Sequence, residues 1–370
     1  MTGTSAPNAS RQNRLGPVQP TAGRHSPLQM TDDRLLTDVR AIHAQIRAAV
    51  LAQCEGQPES ALAEATGFAG GDTIYAIDRV SETLLIDLIE ERVAAQRPVM
   101  LIAEGLPEGR LPLPRGSRSQ DCELVLIVDP IDGTRGLMYQ KRPAWILTGV
   151  GPWHGPTTRL RDLTAAVQTE IPLVKQHLCD QFWATRGQGL SAARLNRLTG
   201  TAQTFRPQPS QATSLAHGFA MLSRFFPPGR DLLAAIDDRL MEQLLGPITP
   251  GQAPCFEDQY ISTGGQFAEL LYGHDRFNAD LRPLLTRTLA KRGQAAGLAC
   301  HPYDVCTALL LEEAGVPLTD PSGATLDCPL DTDTPVAWVA YANAVLRQLL
   351  EGLLQTELRV AGATPHWHTR

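Results

Sequence analysis

The sequence predicts a layered fold of mixed α/β class (α+β or α/β). Strand and helix patterns are interspersed without the strict alternation of βαβ units, which indicates layers of both kinds of element. Short apolar runs typical of buried strands, at 99–103 and 123–128, lie between segments whose apolar residues recur at helical spacing. The 370 residues, of which 43% are hydrophobic, are enough for one large domain or two smaller ones.

Helical periodicity begins at Thr31, whose side chain suits an N-cap and is followed by two acidic residues that favour the positive end of a helix. Apolar spacing predicts further helices over 79–95, 231–245, 265–271, 304–314 and 343–358. Further strands are predicted over 145–150, 164–169, 181–184 and 336–340. Glycines and prolines predict an irregular loop over 105–116 and a tight turn over 186–189.

Residues 1–30 are polar, which predicts a disordered N-terminal tail rather than a secretory signal; a transit peptide is the alternative. The polar segment 198–214 contains two prolines and predicts a connection between two halves, over 31–197 and 215–358. Residues 359–370 are predicted to form a C-terminal tail.

Composition narrows the function. The net charge of −6 argues against a surface that binds a nucleic acid polymer. No run of about 18 apolar residues occurs, so no membrane span is predicted. Seven cysteines without a C-x-x-C motif indicate reduced thiols and a cytoplasmic location. Cys300, His301 and Cys306 lack the spacing of a standard zinc site, so core thiols are the better interpretation.

The strongest chemical signal is the segment Asp-Pro-Ile-Asp-Gly-Thr at 129–134, directly after an apolar strand. Asp129 and Asp132, in a turn imposed by proline and glycine, can point at one centre. Clustered carboxylates repel one another and lose hydration when buried, and a hard divalent cation such as Mg²⁺ offsets both costs. The backbone carbonyl of Ile131 is a further candidate ligand.

The amides of Gly133 and Thr134 can bind phosphate if they open a helix or form a nest of N–H groups. The alternative interpretation of the whole segment is an Asx-turn at the protein surface, where Asp, Pro and Gly are all common. Asp304 also has two interpretations, as a metal ligand and as a helix N-cap, and the sequence alone favours the cap.

The segment D-P-I-D-G-T resembles the central signature of the inositol monophosphatase family, part of the lithium-sensitive phosphatase superfamily. Further stretches between Thr31 and Leu358 resemble other motifs of the family, in the family's order. They are Ala76-Ile77-Asp78-Arg79 to Glu82, Ile102-Ala103-Glu104-Gly105, the strand and R-G-Q-G turn over 180–189, Tyr303-Asp304 to Gly315 and Thr319-Asp320, and Ala340-Tyr341-Ala342-Asn343. Several motifs in order are more specific than any one of them.

The resemblance implies a layered α/β/α/β/α sandwich of the inositol monophosphatase and fructose-1,6-bisphosphatase type. Its first half would bind metal and its second half would face the substrate. The implied activity is Mg²⁺-dependent hydrolysis of a small phosphate monoester, an inositol monophosphate or sugar phosphate, by a metal-activated water in a homodimer. The alternatives are a phosphatase for 3′-phosphoadenosine 5′-phosphate or another nucleotide or bisphosphate, and a non-catalytic binding protein.

The resemblance also implies roles for individual residues. One metal ion would be held by Glu104, Asp129 and the carbonyl of Ile131. A second would be held by Asp129, Asp132 and Asp304, and Glu104 would also face a third. Asp78 and Thr134 would activate the attacking water. The substrate would contact Asp132, Gly133, Thr134, Ser262 and Asp280, although Ser262 and Asp280 have the alternative of ordinary polar loop residues.

The sequence departs from the family pattern beside the active centre. Gly105 stands where the family has a second acid, which weakens the case for a third metal ion. Other departures are Arg135-Gly136, Tyr303, Cys306-Thr307-Ala308 and Val316, and they leave the choice of substrate open. Arg135, Lys141 and Arg142 can attract a second phosphate, with a solvated basic surface as the better-supported alternative.

Overall fold

Two β-sheets and a hairpin form the framework of the protein, seen in a computed structural model that describes residues 1, 3, 27–69, 72–247 and 249–363. The strands are β1 (Ala65–Ala69), β2 (Asp72–Tyr75), β3 (Val99–Ala103), β4 (Arg110–Leu113), β5 (Leu124–Asp132), β6 (Ala144–Pro152), β7 (Ala165–Ile171), β8 (Leu178–Thr185), β9 (Leu190–Asn196), β10 (Ala202–Phe205), β11 (Phe219–Leu222), β12 (Asp275–Asp280), β13 (Leu318–Thr319) and β14 (Trp338–Tyr341). The large sheet has the order β10-β9-β8-β7-β6-β5-β3-β4 and the small sheet β11-β12-β14-β13, while β1 and β2 form the hairpin.

The helices follow the same chain order. They are α1 (Pro27–Gly56), α2 (Glu59–Leu62), α3 (Ala76–Ile89), α4 (Thr134–Met138), α5 (Arg230–Leu245), α6 (Thr263–Tyr272), α7 (Thr286–Lys291), α8 (Ala308–Glu313) and α9 (Ala344–Val360). α3 continues as one π-helical turn over Glu90–Ala94. Single 3₁₀ turns lie at Pro107–Gly109, Ser119–Asp121, Gly155–Thr157, Leu160–Asp162 and Arg282–Leu285. Among the described residues, no helix is both long enough and apolar enough to cross a membrane.

The elements stack in five layers. α1 and α3 pack on one face of the large sheet, α6 and α8 lie between the two sheets, and α5 and α9 cover the other face of the small sheet. Each sheet is therefore enclosed by helices on both faces. The predicted mixed class and its layered α/β/α/β/α order are confirmed.

Two apolar cores hold these layers together. One lies between the large sheet and the outer helices and includes Ile42 and Ile46 of α1. The other lies between the sheets and includes Phe267 of α6 and Trp338 of β14. All nine residues of β5 are buried, and its first five, Leu124–Val128, form the continuous apolar run expected of a strand covered on both faces.

Several helix limits differ from the prediction, and three of the differences are informative. α1 begins at Pro27, four residues before Thr31, which is consistent with the tolerance of proline in a first helical turn. The segment over 304–314 is helical only from Ala308, because the residues before it form turns. α9 extends to Val360, and Ala363 is buried, so the predicted C-terminal tail begins later than 359. Residues 2 and 4–26 of the predicted N-terminal tail, and residues 364–370, lie outside the described residues.

Several strands were missing from the prediction. β4 lies inside the predicted loop over 105–116, where an edge strand tolerates proline. β10 lies inside the predicted connection over 198–214; it is the other edge strand, and its polar exposed residues give no apolar pattern. β12 is central and buried but carries polar residues, because Asn278 and Asp280 form internal hydrogen bonds.

Candidate active site

Two parallel strands bring the first acidic residues to one edge of the large sheet. Ala103 at the end of β3 pairs with Val128 of β5, so Glu104 and Asp129 follow at neighbouring positions. The pairing of β5 with β6 shifts between Asp129 and Asp132, an irregularity of the kind that redirects side chains at strand ends. All three acids line one cleft.

Three carboxylates meet in this cleft. Asp129, Asp132 and Asp304 each offer an oxygen, and these oxygens lie within 4.8 Å of one another. Asp129 and Asp132 are 7% and 6% exposed. Glu104 lines the same cleft but does not belong to this close group. The structure thus assembles the three acids predicted for the second metal ion and places Glu104 nearby.

The backbone fixes the orientation of Asp129. Its Oδ1 accepts a hydrogen bond from the amide of Ile131 at 3.0 Å, which is the Asx-turn considered from the sequence. This turn is buried among other acids, however, so the interpretation as a turn at the protein surface does not explain the segment. The second carboxylate oxygen of Asp129, Oδ2, remains to face the cleft.

Asp132 joins the first half of the chain to the second. Its Oδ2 accepts hydrogen bonds from the Ser262 hydroxyl at 2.7 Å and the Gly264 amide at 2.6 Å. Ser262 is also the N-cap of α6, accepting from the Gly265 amide at 2.8 Å. A Cβ at Gly264 would lie 3.0 Å from Asp132 Oδ2 and 2.5 Å from Leu147, so this position needs a glycine.

Asp304 reaches the cluster from the turns that precede α8. Its Oδ2 accepts from the His301 amide at 2.6 Å, and its own amide donates to the His301 carbonyl at 3.1 Å. The N-cap of α8 is Thr307, so Asp304 closes a local turn and does not cap that helix. The helix-cap interpretation favoured by the sequence alone is therefore wrong.

Burial raises the pKa of each carboxyl in the cluster. The pKa of Asp132 rises to about 6, although hydrogen bonds from Ser262 and the start of α6 oppose the effect. Burial, and then the negative charges of Asp132 and the other acids, hold the pKa values of Asp129 and Asp304 well above their usual range. Ionised carboxylates in this position repel one another and destabilise the metal-free protein, and a bound cation would offset this repulsion.

Thr134 lies between Asp78 and the acidic turn. Its hydroxyl oxygen is 3.0 Å from Asp78 Oδ1 and 2.8 Å from the carbonyl oxygen of Ile131, so its one proton serves either acceptor. The other oxygen of Asp78 accepts from the Tyr75 amide at the start of α3. Asp78 and Thr134, predicted to act together, are brought into contact and line the cleft.

Glu82 is a cleft residue to which the prediction gave no role. It follows Asp78 by one turn of α3, and both side chains line the cleft. A Cβ placed on Gly105 would lie 2.5 Å from Glu82 Oε1, so the carboxylate of Glu82 fills the space beside Gly105. Gly105 therefore lacks the second acid of the family pattern, but the carboxylate of Glu82 reaches the adjacent space from α3.

The second half of the chain contributes a second wall to the cleft, besides Ser262, Thr263 and Asp304. This wall contains Phe225, Phe226, Arg282, Leu298 and Tyr303. Its members come from the loop before α5, the turn after β12 and the segment before Asp304. Except for Tyr303, these residues belong to no recognised motif, so no sequence pattern pointed to them.

Asp280 does not line the cleft. It is 1% exposed, and its carboxylate bonds to Arg282, which does line the cleft. The predicted direct contact between Asp280 and the substrate is therefore corrected to a contact with Arg282, because the side chain points into the protein. Ser262 and Gly133, by contrast, are cleft residues as predicted.

The three basic residues after the signature have different environments. Arg135 lines the cleft. Arg142 forms an ion pair with Asp258, and its guanidinium lies 5.1 Å from the ring centroid of Tyr260. Lys141 is exposed. Arg142 and Lys141 therefore fit the alternative of a basic surface, whereas Arg135 does not.

The fold and the cleft together define a class: a five-layered α/β/α/β/α protein with clustered carboxylates at the edge of its large sheet. No protein-family model matches the sequence, and a search of curated proteins finds no match. Solved structures do match, and the fold is of the inositol monophosphatase and fructose-1,6-bisphosphatase type. The fold implied by the sequence motifs is confirmed.

Three of these structures illustrate the similarity. The extragenic suppressor protein suhB from Bartonella henselae shares 14% identity at a TM-score of 0.58, covering 87% of this chain and 98% of its own. Leishmania major fructose-1,6-bisphosphatase shares 16% identity at 0.59, with coverages of 90% and 95%. The inositol monophosphatase from Anabaena (Nostoc) shares 17% identity at 0.52, with coverages of 89% and 97%. At these identities the likeness is one of fold.

Proposed function

We propose that the protein is a Mg²⁺-dependent phosphatase that hydrolyses a small phosphate monoester. The observation that carries the proposal is the buried group of Asp129, Asp132 and Asp304, whose oxygens lie within 4.8 Å of one another in a cleft. Two of the similar folds belong to proteins described as a fructose-1,6-bisphosphatase and an inositol monophosphatase. Their chemistry is compatible with such a group of acids.

The donor set fits a hard cation. The close group contains carboxylate oxygens and no histidine or cysteine within the described part of the chain, which favours Mg²⁺ over softer metals. We assign Asp129, Asp132 and Asp304 to one ion, and Glu104, Asp129 and the Ile131 carbonyl to another. When bound, the ions neutralise charge on the phosphoryl group and favour ionisation of the attacking water.

The chain's own residues would orient the reactants. If the Thr134 proton points to Asp78, the hydroxyl oxygen keeps its lone pairs to accept a hydrogen bond from the attacking water. Asp78 would then take a proton from the attacking water through Thr134 as the new P–O bond forms. The ester P–O bond would break, and the departing alkoxide would take a proton from solvent water to leave as the alcohol. The amides of Gly133 and Thr134 would hold the phosphoryl oxygens. Asp132 and Ser262 would face the leaving alcohol.

We further assign Glu82 to the metal centre, as a replacement for the acid that is absent at Gly105. Its carboxylate occupies the space beside Gly105 and lines the cleft with Glu104. A Glu82→Gln variant should need more Mg²⁺ for half-maximal activity while its maximal turnover changes little. An unchanged Mg²⁺ requirement would remove Glu82 from the centre.

The first experiment is phosphate release from a panel of phosphate monoesters, with and without Mg²⁺. The panel includes inositol 1-phosphate, sugar phosphates and 3′-phosphoadenosine 5′-phosphate, which separates the monoester phosphatase from the nucleotide phosphatase alternative. Mg²⁺-dependent release from any member would exclude a purely binding role. Binding of panel members without release at any Mg²⁺ concentration would favour the non-catalytic alternative. Light scattering on the same sample would test the expected homodimer.

A further inference from the structure

A ladder of alternating aromatic rings and guanidinium groups joins the two halves of the chain within the cleft. Its members all line the cleft and are Tyr75, Arg135, Phe226, Arg282 and Phe225. The Cζ of Arg135 lies 5.8 Å from the ring centroid of Tyr75 and 5.0 Å from that of Phe226. The Cζ of Arg282 lies 5.4 Å from the ring centroid of Phe226 and 4.5 Å from that of Phe225. Each distance is within the range of about 6 Å over which a guanidinium attracts an aromatic ring.

The ladder lies nearer to solvent than the carboxylates do. All five of its members are partly exposed, whereas Asp129 and Asp132 are buried. Arg135 also follows Thr134 directly, so the ladder begins one residue away from the proposed catalytic turn. Because the buried carboxylates close the inner end of the cleft, an alcohol esterified to a phosphoryl group on them extends toward solvent and therefore toward the ladder.

The space inside the cleft is small. Its volume is about 110 Å³, well below the roughly 300–1,000 Å³ of clefts that enclose drug-sized ligands. Part of this volume would be taken by the phosphoryl group and the metal ions that the proposed function requires. The remainder suits a small alcohol, provided that the wall beside it does not move.

The loop that follows β11 and carries both phenylalanines is fixed at its start. The amide of Arg224 donates to the side-chain oxygen of Gln259 at 2.8 Å. The guanidinium of Arg224 donates to Asp237 of α5 at 3.1 Å and also to Glu257. These contacts hold the backbone immediately before the phenylalanines to α5 and to the segment that precedes α6.

A second segment packs against the end of this loop. A Cβ placed on Gly297 would lie 2.7 Å from the carbonyl oxygen of Pro227, so the two backbones are in contact. The next residue, Leu298, accepts a hydrogen bond from Nη1 of Arg282 at 2.9 Å through its carbonyl. Phe226 therefore lies on a backbone that is held on both sides, which makes it part of a fixed wall rather than of a mobile lid.

We propose that Phe226 determines the substrate specificity of the cleft. As the centre of the ladder, it limits the leaving alcohol to small groups and excludes bulkier ones, such as nucleosides and fused aromatic rings. A fixed side chain discriminates by steric exclusion, because a bulkier alcohol reaches the carboxylates only if the wall is displaced. This size limit rests on the proposed phosphatase function, and it narrows that function to a class of substrate.

The test compares phosphate monoesters with similar leaving groups of different size: phenyl phosphate with 1-naphthyl phosphate, and ribose 5-phosphate with adenosine 5′-monophosphate. In the wild type, kcat/KM should be about tenfold or more higher for the smaller member of each pair. Phe226→Ala should lower this ratio several-fold by raising kcat/KM for the larger member. Phe226→Leu, which keeps an apolar side chain of similar bulk, should retain most of the ratio.

Two further variants define what the ratio reports. Arg135→Met removes one guanidinium from the ring of Phe226 but keeps a long side chain, so it should lower the ratio by a smaller factor than Phe226→Ala. Phe256→Ala is the matched control, because Phe256 is 40% exposed and pairs with Phe219, and neither residue lines the cleft. The control should leave the ratio unchanged. Thermal melts of every variant show whether the fold is retained.

Phosphonates separate recognition from turnover. Phenylphosphonate and 1-naphthylphosphonate are titrated calorimetrically with Mg²⁺ present. Phosphate release with equal kcat/KM within each pair, or an unchanged ratio in Phe226→Ala, would overturn the size limit and leave the phosphatase proposal intact. Tighter binding of phenylphosphonate that is lost in Phe226→Ala, without release from any ester, would support the size limit and overturn the phosphatase proposal. Absence of both release and size-dependent binding would overturn both.

Discussion

The two walls of the cleft are built in different ways. The wall from the first half takes most of its acids and amides from one strand end and the turn after it, over 129–134, with Glu104 on the adjacent strand. The wall from the second half takes Phe226, Arg282 and Tyr303 from three segments far apart in sequence. The first wall can therefore be read largely from a short motif and carries most of the proposed chemistry, to which the second half contributes Asp304. The second wall depends on tertiary structure.

The largest effect is expected at the first wall, from Asp129→Asn. Asp129 is assigned to both metal ions, so the change removes charge from both, and turnover should fall to the assay background even at high Mg²⁺. The metal-free protein should melt at an equal or higher temperature than the wild type, because one source of carboxylate repulsion is gone. Phosphate release and metal-free melts check both statements. Near-normal turnover would show that the turn over 129–134 has only a structural role.

The junction between the walls should be nearly as sensitive. Gly264→Ala places a Cβ 2.5 Å from a methyl carbon of Leu147 and 3.0 Å from Asp132 Oδ2, so Leu147 has to shift and Asp132 has to give by a few tenths of an ångström. Turnover should fall by roughly tenfold, because a shift of about 1 Å at a reacting centre costs roughly 100-fold in rate. The matched control is Gly352→Ala in α9, where nothing lies within 4 Å of the added Cβ. The control should keep full activity and gain slight stability.

The second wall should respond differently, through affinity rather than rate. Asp280→Asn removes the charge partner that orients Arg282, a cleft residue, so KM for the best substrate of the panel should rise several-fold while kcat changes by less than about twofold. Loss of a buried ion-pair partner should also lower the free energy of unfolding by roughly 3 kcal/mol. Steady-state kinetics and thermal melts separate the two effects. A fall in kcat with unchanged KM would place Asp280 with the reacting centre instead.

A smaller effect is expected from pH alone. The folded-state pKa of Asp132 is raised to about 6, above its ordinary value near 4. Protonated Asp132 therefore contributes to the free energy of unfolding below about pH 4, and this contribution is lost as pH rises through about 6. The stabilisation that Mg²⁺ gives should grow over the same window, because the ion binds the ionised carboxylates. In thermal melts from pH 5 to 7.5, the difference in melting temperature with and without Mg²⁺ should increase with pH. A difference that stays constant would argue against Mg²⁺ binding at this cluster.

The same contrast explains what the sequence could and could not predict. The layers followed from apolar patterns, since strands such as β5 are buried on both faces. The cluster of Asp129 and Asp132 followed from one turn. The polar central strand β12 and the edge strand β10 were missed because their residues lack an apolar pattern. Arg282 was missed because its position depends on a buried partner and on Phe226, which only the tertiary structure brings together.

The central claim is that the carboxylate cluster is a Mg²⁺ site for phosphate release, and a Mg²⁺ titration of turnover tests it most directly. Wild type and Asp304→Asn are compared on the best substrate of the panel, after chelation of residual metal. Asp304 is assigned to one ion only, so the variant should be inactive at low Mg²⁺ and recover in part at high Mg²⁺ by mass action. Release that needs no added metal, or an identical Mg²⁺ midpoint in both proteins, would contradict the account.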